Sequence, residues 1–235
     1  MKGVVLGVVL TLLSACGAEK GVSSNSDQTY VEEHMKSRLG SVARVDVYRR
    51  IEQLLPNRQY QEEEDKPPFR ISDRVVVGEF VEATPGYAFL GTGKQVPFNS
   101  REAEWRTVHF EFRVDETFGG EGPNPARIGI AFSSATDFDK IREGHIGRGK
   151  SVVFLFMNSP VLDYDPDLAA VVEDGAMIAT VNSDDRLSLD FLDADRNAVM
   201  LERVDTLEEL RREARKPQRT IKVKRDQGVL QPAEE

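Results

Sequence analysis

The chain has a single cysteine, Cys16, so an internal disulfide and a disulfide-stapled scaffold are excluded. A thiolate-rich zinc site goes with it, and three histidines leave few ligands for an imidazole-based one. A basic excess is also missing. Lys and Arg number 31 against 40 Asp and Glu, a formal charge of -9, which argues against nucleic acid as a partner. No internal repeat is visible. What is present is 40% hydrophobic and 30% charged residues over 235 positions. That is enough for a globular core and too polar for a multi-span membrane protein.

One apolar run stands out. Lys2 precedes Val4 to Leu13, broken only by Gly7 and Thr11. A membrane-spanning helix takes roughly twenty apolar residues, about twice this run, so residues 1–15 read as a secretory signal peptide. The run ends Leu13-Ser14-Ala15-Cys16-Gly17, which resembles a bacterial lipoprotein lipobox. The resemblance implies a diacylglycerol on the Cys16 sulfur, cleavage before Cys16 and acylation (palmitate or a similar chain) of the new N-terminus. Two or three acyl chains on one residue satisfy the requirement that stable anchoring needs more than one. The expected location is therefore a bacterial membrane, with the protein exported and lipid-anchored. Gly17 in place of Asp resembles the outer-membrane pattern if the cell has two membranes; with one, the protein faces outward from it.

Residues 16–68 read as a tether. Gly17 to Thr29 is small and polar. A short amphipathic helix is predicted from Arg44 to Leu55, where Val45, Tyr48, Ile51 and Leu54 are loosely helical in spacing and Pro56 stops it. Asn57 to Pro68 is predicted to be an acidic and proline-rich linker. From Phe69 the pattern changes. Val75 to Val81 is β-branched, and Thr107 to Val114 alternates, with Val108, Phe110, Phe112 and Val114 on one face. Ala126 to Phe132 and Val152 to Met157 are further strands, the second apolar on both faces and so central. Ala176 to Val181 and Leu187 to Leu192 flank a hairpin turn at Asn182 to Arg186. After this β domain (69–204), residues 205–216 are a predicted helix. Thr206 and Glu209 suit a capping box, Leu207 and Leu210 its apolar stripe, and Pro217 its end. Residues 217–235 read as a loose polar tail.

The fold class that follows is mainly β: a small antiparallel OB-like barrel or sandwich with a short N-terminal helix and a C-terminal helix. The order of Ser72 to Val81, the Phe112/Val114 strand with Gly119-Gly120, and the Gly149 to Leu155 strand resembles small secreted OB-like domains of the netrin-like kind. That family carries disulfides and this chain does not, so the resemblance implies a fold over residues 69–193 and no inhibitor role.

Candidate chemistry is sparse. His109 and Glu111 share a strand face, as a metal or acid/base pair would, against a solvated sheet face beside Thr107 and Arg113. His145 lies among Gly144, Gly147 and Gly149 with Arg148 and Lys150 nearby, a candidate anion loop or a plain loop. Ser133-Ser134 could enter a triad, but no G-x-S-x-G elbow exists. Gly91-Thr92-Gly93-Lys94 lacks phosphate-loop spacing and reads as a turn. Asp163-Tyr164-Asp165-Pro166-Asp167 and Asp193-Ala194-Asp195-Arg196-Asn197 partly match calcium loops, with Leu168 and Ala198 at the glycine position and Asp174 at the twelfth position of the first. Tyr87, Phe98 and Trp105 would suit a glycan or peptide if exposed.

Arg211, Arg212, Arg215, Lys216, Arg219, Lys222, Lys224 and Arg225 form a basic stretch in an acidic chain, a candidate contact for anionic lipid headgroups or an anionic wall polymer. The expected function is a lipid-anchored, non-enzymatic envelope module with no cofactor or metal. Its partners are the membrane through Cys16 and an envelope protein or wall polymer. The alternatives are an envelope hydrolase with a site near His109 or His145, and a structural spacer without an exposed aromatic cluster.

Overall fold

A computed structural model describes residues 49–62, 65–92, 94–133, 135–156, 167–172, 176–226 and 229–232. The signal segment, Cys16, most of the tether, Asp163 to Pro166 and Asp174 lie outside the described residues. The chain enters through a 3₁₀ turn, Ile51–Leu54, then β1 (Arg58–Gln61), β2 (Arg74–Phe89), β3 (Gln95–Val96) and β4 (Trp105–Gly119). There follow β5 (Ala126–Ser133), α1 (Phe138–His145), β6 (Ser151–Phe156), β7 (Leu168–Val171), β8 (Ile178–Val181) and β9 (Leu187–Ser188). The last elements are α2 (Ala194–Met200), α3 (Leu207–Ala214), β10 (Arg219–Asp226) and β11 (Val229–Pro232). Among the described residues no helix is long and apolar enough to cross a membrane.

The fold is mainly β and mostly antiparallel, as the alternation of β4 requires: Val108, Phe110 and Phe112 are buried, Glu111 and Arg113 exposed. β4 pairs antiparallel with β2 on one side and β5 on the other. β5 pairs parallel with β7, β7 antiparallel with β6, and β6 antiparallel with the first half of β2. The pairings therefore run β2–β4–β5–β7–β6–β2, with α1 between the third and fourth strands in sequence. This is the strand order of an OB-like, barrel-like fold. The ring is thinnest at β7, which among the described residues meets β6 through Leu155↔Val171 and Phe156↔Ala170. Inside lie Phe80, Phe110, Phe112, Ile128, Ile130 and Phe154, and Val152 to Leu155 are fully buried, as expected of a central strand. Gly78 sits at a register shift between β2 and β4, where a Cβ would lie 1.8 Å from the Arg113 carbonyl oxygen.

The two stretches that flank the barrel differ from expectation. The supposed linker after Pro56 begins with β1, in which Tyr60 is fully buried and donates its hydroxyl to the Gln53 carbonyl at 2.8 Å. The supposed loose tail begins with β10, parallel to β1 and paired with β11, and Val223 is buried. Each strand is polar enough to read as coil, because one apolar side chain facing inward suffices once the other strand is beside it. The described part of the N-terminal helix is the 3₁₀ turn. The C-terminal helix forms as α3, with Thr206 Oγ1 accepting from the Glu209 N–H at 3.2 Å. Glu209 reaches back to the Asp205 N–H at 3.1 Å, one residue before the cap.

Candidate functional site

α1 turns the glycine-rich stretch around His145 into something other than an anion loop. Asp137 caps it, accepting from Asp139 N–H at 2.8 Å and Lys140 N–H at 3.3 Å, and Ile141 and His145 face inward. His145 is 4% exposed. Its Nδ1–H donates to the Ile141 carbonyl at 2.8 Å. Its ring lies 5.4 Å from Phe80, 4.7 Å from Phe110, 5.9 Å from Phe132 and 5.4 Å from Phe191, centroid to centroid. Burial pushes its pKa below 6.5, the positive charge of Arg148 adds to this, and the Ile141 hydrogen bond opposes both. Arg148 folds back, its guanidinium 4.3 Å over the Phe191 ring, and its Nε donates to Gly144 O at 3.1 Å. Nη1 is 3.4 Å from Asp190 Oδ2 but buried without a hydrogen bond. Arg148, a candidate anion contact in the sequence, thus caps the aromatic end of the barrel.

His109 lies on the outer face of β4. A register shift in β2 between Pro85 and Ala88 throws Gly86 and Tyr87 over this face. Thr107 Oγ1 holds them, accepting from Tyr87 N–H at 2.7 Å and donating to Tyr87 O at 3.2 Å. A Cβ on Gly86 would lie 2.4 Å from His109 Nε2 and 2.5 Å from Thr107 Oγ1, so a larger residue there would push these side chains aside. His109 Nε2 is 3.4 Å from Thr107 Oγ1, and its ring meets Tyr87 at 5.1 Å, edge to face. Glu111 is exposed two residues along, facing Glu82 across the β2–β4 pair.

The three aromatic candidates separate. Trp105 is half-buried and stacks on the fully buried Phe89, centroids 4.1 Å apart and planes at 16°. Phe89 meets Tyr87 at 6.3 Å, so Trp105, Phe89, Tyr87 and His109 make one row of rings. Phe98 stands apart, at 6.0 Å from Phe138 and beneath Arg106, beside a hollow of about 140 Å³ that Ile141 also lines.

The remaining candidates take structural places. Ser133 ends β5 and accepts from the Ala135 N–H at 3.4 Å; Ser134 lies outside the described residues. Around Gly91 and Thr92 the Leu90 N–H bonds to Lys94 O at 2.9 Å, a turn as expected, with Gly93 outside the described residues. The second calcium-loop candidate is corrected: Asp193 is the N-cap of α2, accepting from the Arg196 N–H at 2.8 Å, and Asn197 Oδ1 accepts from the Leu189 N–H at 3.1 Å. Among the described residues no three His, Cys, Asp or Glu side chains are grouped to hold a metal.

The basic stretch divides between α3 with its exit and β10. Arg211 binds Glu116 at 2.9 Å, Lys216 binds Glu213 at 2.5 Å and Lys222 Nζ donates to Gln61 Oε1 at 2.9 Å. Arg212, Arg215, Arg219 and Lys224 are exposed, and the Arg225 side chain lies outside the described residues. Sequence reasoning missed Arg74, which is 4% exposed. It donates at 3.3 Å to both Pro123 O and Thr117 Oγ1, its Nε has no partner, and burial lowers its pKa. No local pattern marks it, because its partners come from the far end of β4 and the loop beyond.

Compared with known proteins, the chain matches no family model, no curated protein and no solved structure.

Proposed function

We propose that this is a lipid-anchored cell-envelope protein whose barrel-like domain is a non-enzymatic binding module. Cys16 carries the lipid, the tether holds the domain off the membrane, and an envelope protein or wall polymer is its partner. The observation that carries the non-enzymatic reading is His145. An acid/base histidine needs a substrate-facing nitrogen and a pKa near the working pH. Here one nitrogen is bonded to a main-chain carbonyl, aromatic rings surround the imidazole, and burial holds it neutral. His109 supports the same reading, since Thr107 and Tyr87 hold it within a strand bulge.

Two measurements on the tagged full chain test this. Cys16→Ser should move the protein out of the membrane fraction or block its processing; a variant that stays membrane-bound at unchanged mass overturns the anchor. In-cell crosslinking of the lipidated protein should capture a reproducible envelope partner. An empty capture from abundant, anchored protein, together with turnover of an envelope substrate, overturns the binding module.

A further inference from the structure

We infer that the outer face of the β2–β4 ribbon, from Trp105 to the Glu82–Glu111 pair, binds a linear glycan of amino sugars. This rests on the binding-module reading and names its ligand. β4 is regular from Trp105 to Phe112 against β5, so Trp105, Thr107, His109 and Glu111 share one face over about 20 Å at roughly 3.4 Å per residue. At one end is the aromatic row. Trp105 is held against Phe89, and Tyr87 against both Phe89 and His109, so the platform is ordered before any ligand arrives. Trp105, Tyr87 and His109 all remain half-exposed. Flat, ordered, partly exposed rings suit the C–H faces of sugar rings.

At the other end acidic side chains outnumber basic ones. Glu82 and Glu111 stand directly opposite one another on adjacent strands, both exposed. Like charges so placed are unfavourable. Among the described residues neither side chain has an ion-pair or hydrogen-bond partner. The neighbouring cations are Arg113, bound to Glu79 at 2.6 Å, and Arg127, in register beside Glu111 on β5. An excess of negative charge remains, and exposed Glu104 adds to it beside Trp105. Protonated sugar amines complement this charge, with further attraction where an ammonium lies over a ring. Phosphate polymers and nucleic acids are repelled by it. Both edges of β4 are already paired with β2 and β5, so a peptide strand cannot add there.

Trp105 is the single tryptophan, so its emission reads this face directly. The purified full chain would be titrated with a short β-linked glucosamine oligomer and with its fully N-acetylated counterpart. The expected result is a saturable change with the free amine form, at least about tenfold weaker with the acetylated form and weakened by salt. The double variant Glu82→Gln, Glu111→Gln should bind about tenfold more weakly while melting close to wild type, because the Glu82–Glu111 repulsion it removes offsets the lost attraction of Glu111 to Arg127. No saturable change, equal binding of the acetylated oligomer, or indifference to the glutamine pair would each overturn the inference. Any of these alongside a reproducible crosslinked partner overturns the ligand and leaves the module standing. Failure of both measurements overturns both.

Discussion

Protonating His145 would place a second positive charge near Arg148, inside a wall of aromatic rings. The folded protein resists this more than the unfolded chain, so the folded pKa lies below the ordinary 6.5. Above 6.5 both states are neutral at this site and it contributes no pH dependence. Below it the unfolded chain takes up a proton that the folded chain refuses, and stability falls until the folded pKa is passed. Glu52 works the other way. Burial raises its carboxyl above 4.5, so acid favours the fold there. His145→Phe should therefore flatten the decline in melting temperature just below 6.5, at a cost of about 1 kcal/mol for the lost Ile141 hydrogen bond. An unchanged slope in this variant would show that another group is responsible. The helix that carries His145 was legible in principle: Asp137 as cap, then Phe138, Ile141 and His145 on one face. Three neighbouring glycines drew the reading toward a loop instead, although Gly144 lies within the helix and Gly147 and Gly149 follow its end, at φ 90° and 80°.

In the β2–β4 ribbon, alternation located β4 and its buried face but placed Thr107 on the solvated side with Glu111 and Arg113. Thr107 is in fact 2% exposed, because the Gly86–Tyr87 bulge covers it. A bulge adds one residue to the partner strand, and nothing in the sequence of β4 records it. The hydroxyl both accepts from and donates to Tyr87, so the bulge's hydrogen bonds depend on one side chain. Thr107→Val keeps the shape and removes both bonds, leaving a partly buried main-chain pair without its partner. The expected loss is about 1–3 kcal/mol in urea unfolding. Trp105 emission should also shift, as Tyr87 and Phe89 lose their register beneath it. A stable variant with unchanged emission would mean that Gly86 alone sets the bulge. The strands β1, β7 and β10 escaped the sequence for a related reason: β1 is short and polar, β7 short and β10 mostly charged, and each is defined by partners far along the chain. Asn57 Nδ2, which donates to Glu213 O and Lys216 O at 2.9 Å each, bridges 156 and 159 residues.

Across the whole molecule, the barrel-like ring depends on its thinnest member. β7 touches β5 through Arg127↔Leu168, Ile128↔Ala169 and Gly129↔Ala170, and without it β5 would be a sheet edge and Leu155 and Phe156 of β6 would lose a partner, while Ser151 to Val153 stay paired with β8. Composition excludes a disulfide as the device that joins β7 to the ring, but does not show what joins it instead. The structure gives a steric answer. Leu168 is fully buried and its Cδ2 lies where a Cβ on Gly129 would come within 2.8 Å. The missing side chain on β5 is the space that lets β7 dock. Gly129→Val should therefore destabilise the fold by about 1–3 kcal/mol through overpacking, despite the better strand propensity of valine. Leu168→Ala alone should cost about 2–5 kcal/mol as a cavity. Combined, the two should cost less than their sum, because the valine methyl groups fill the space the leucine leaves. A coupling of about 1 kcal/mol or more in a double-mutant cycle is expected from melting or urea curves. Strict additivity would mean that the two side chains do not share that space, and that closure at β7 rests on its main-chain pairing alone.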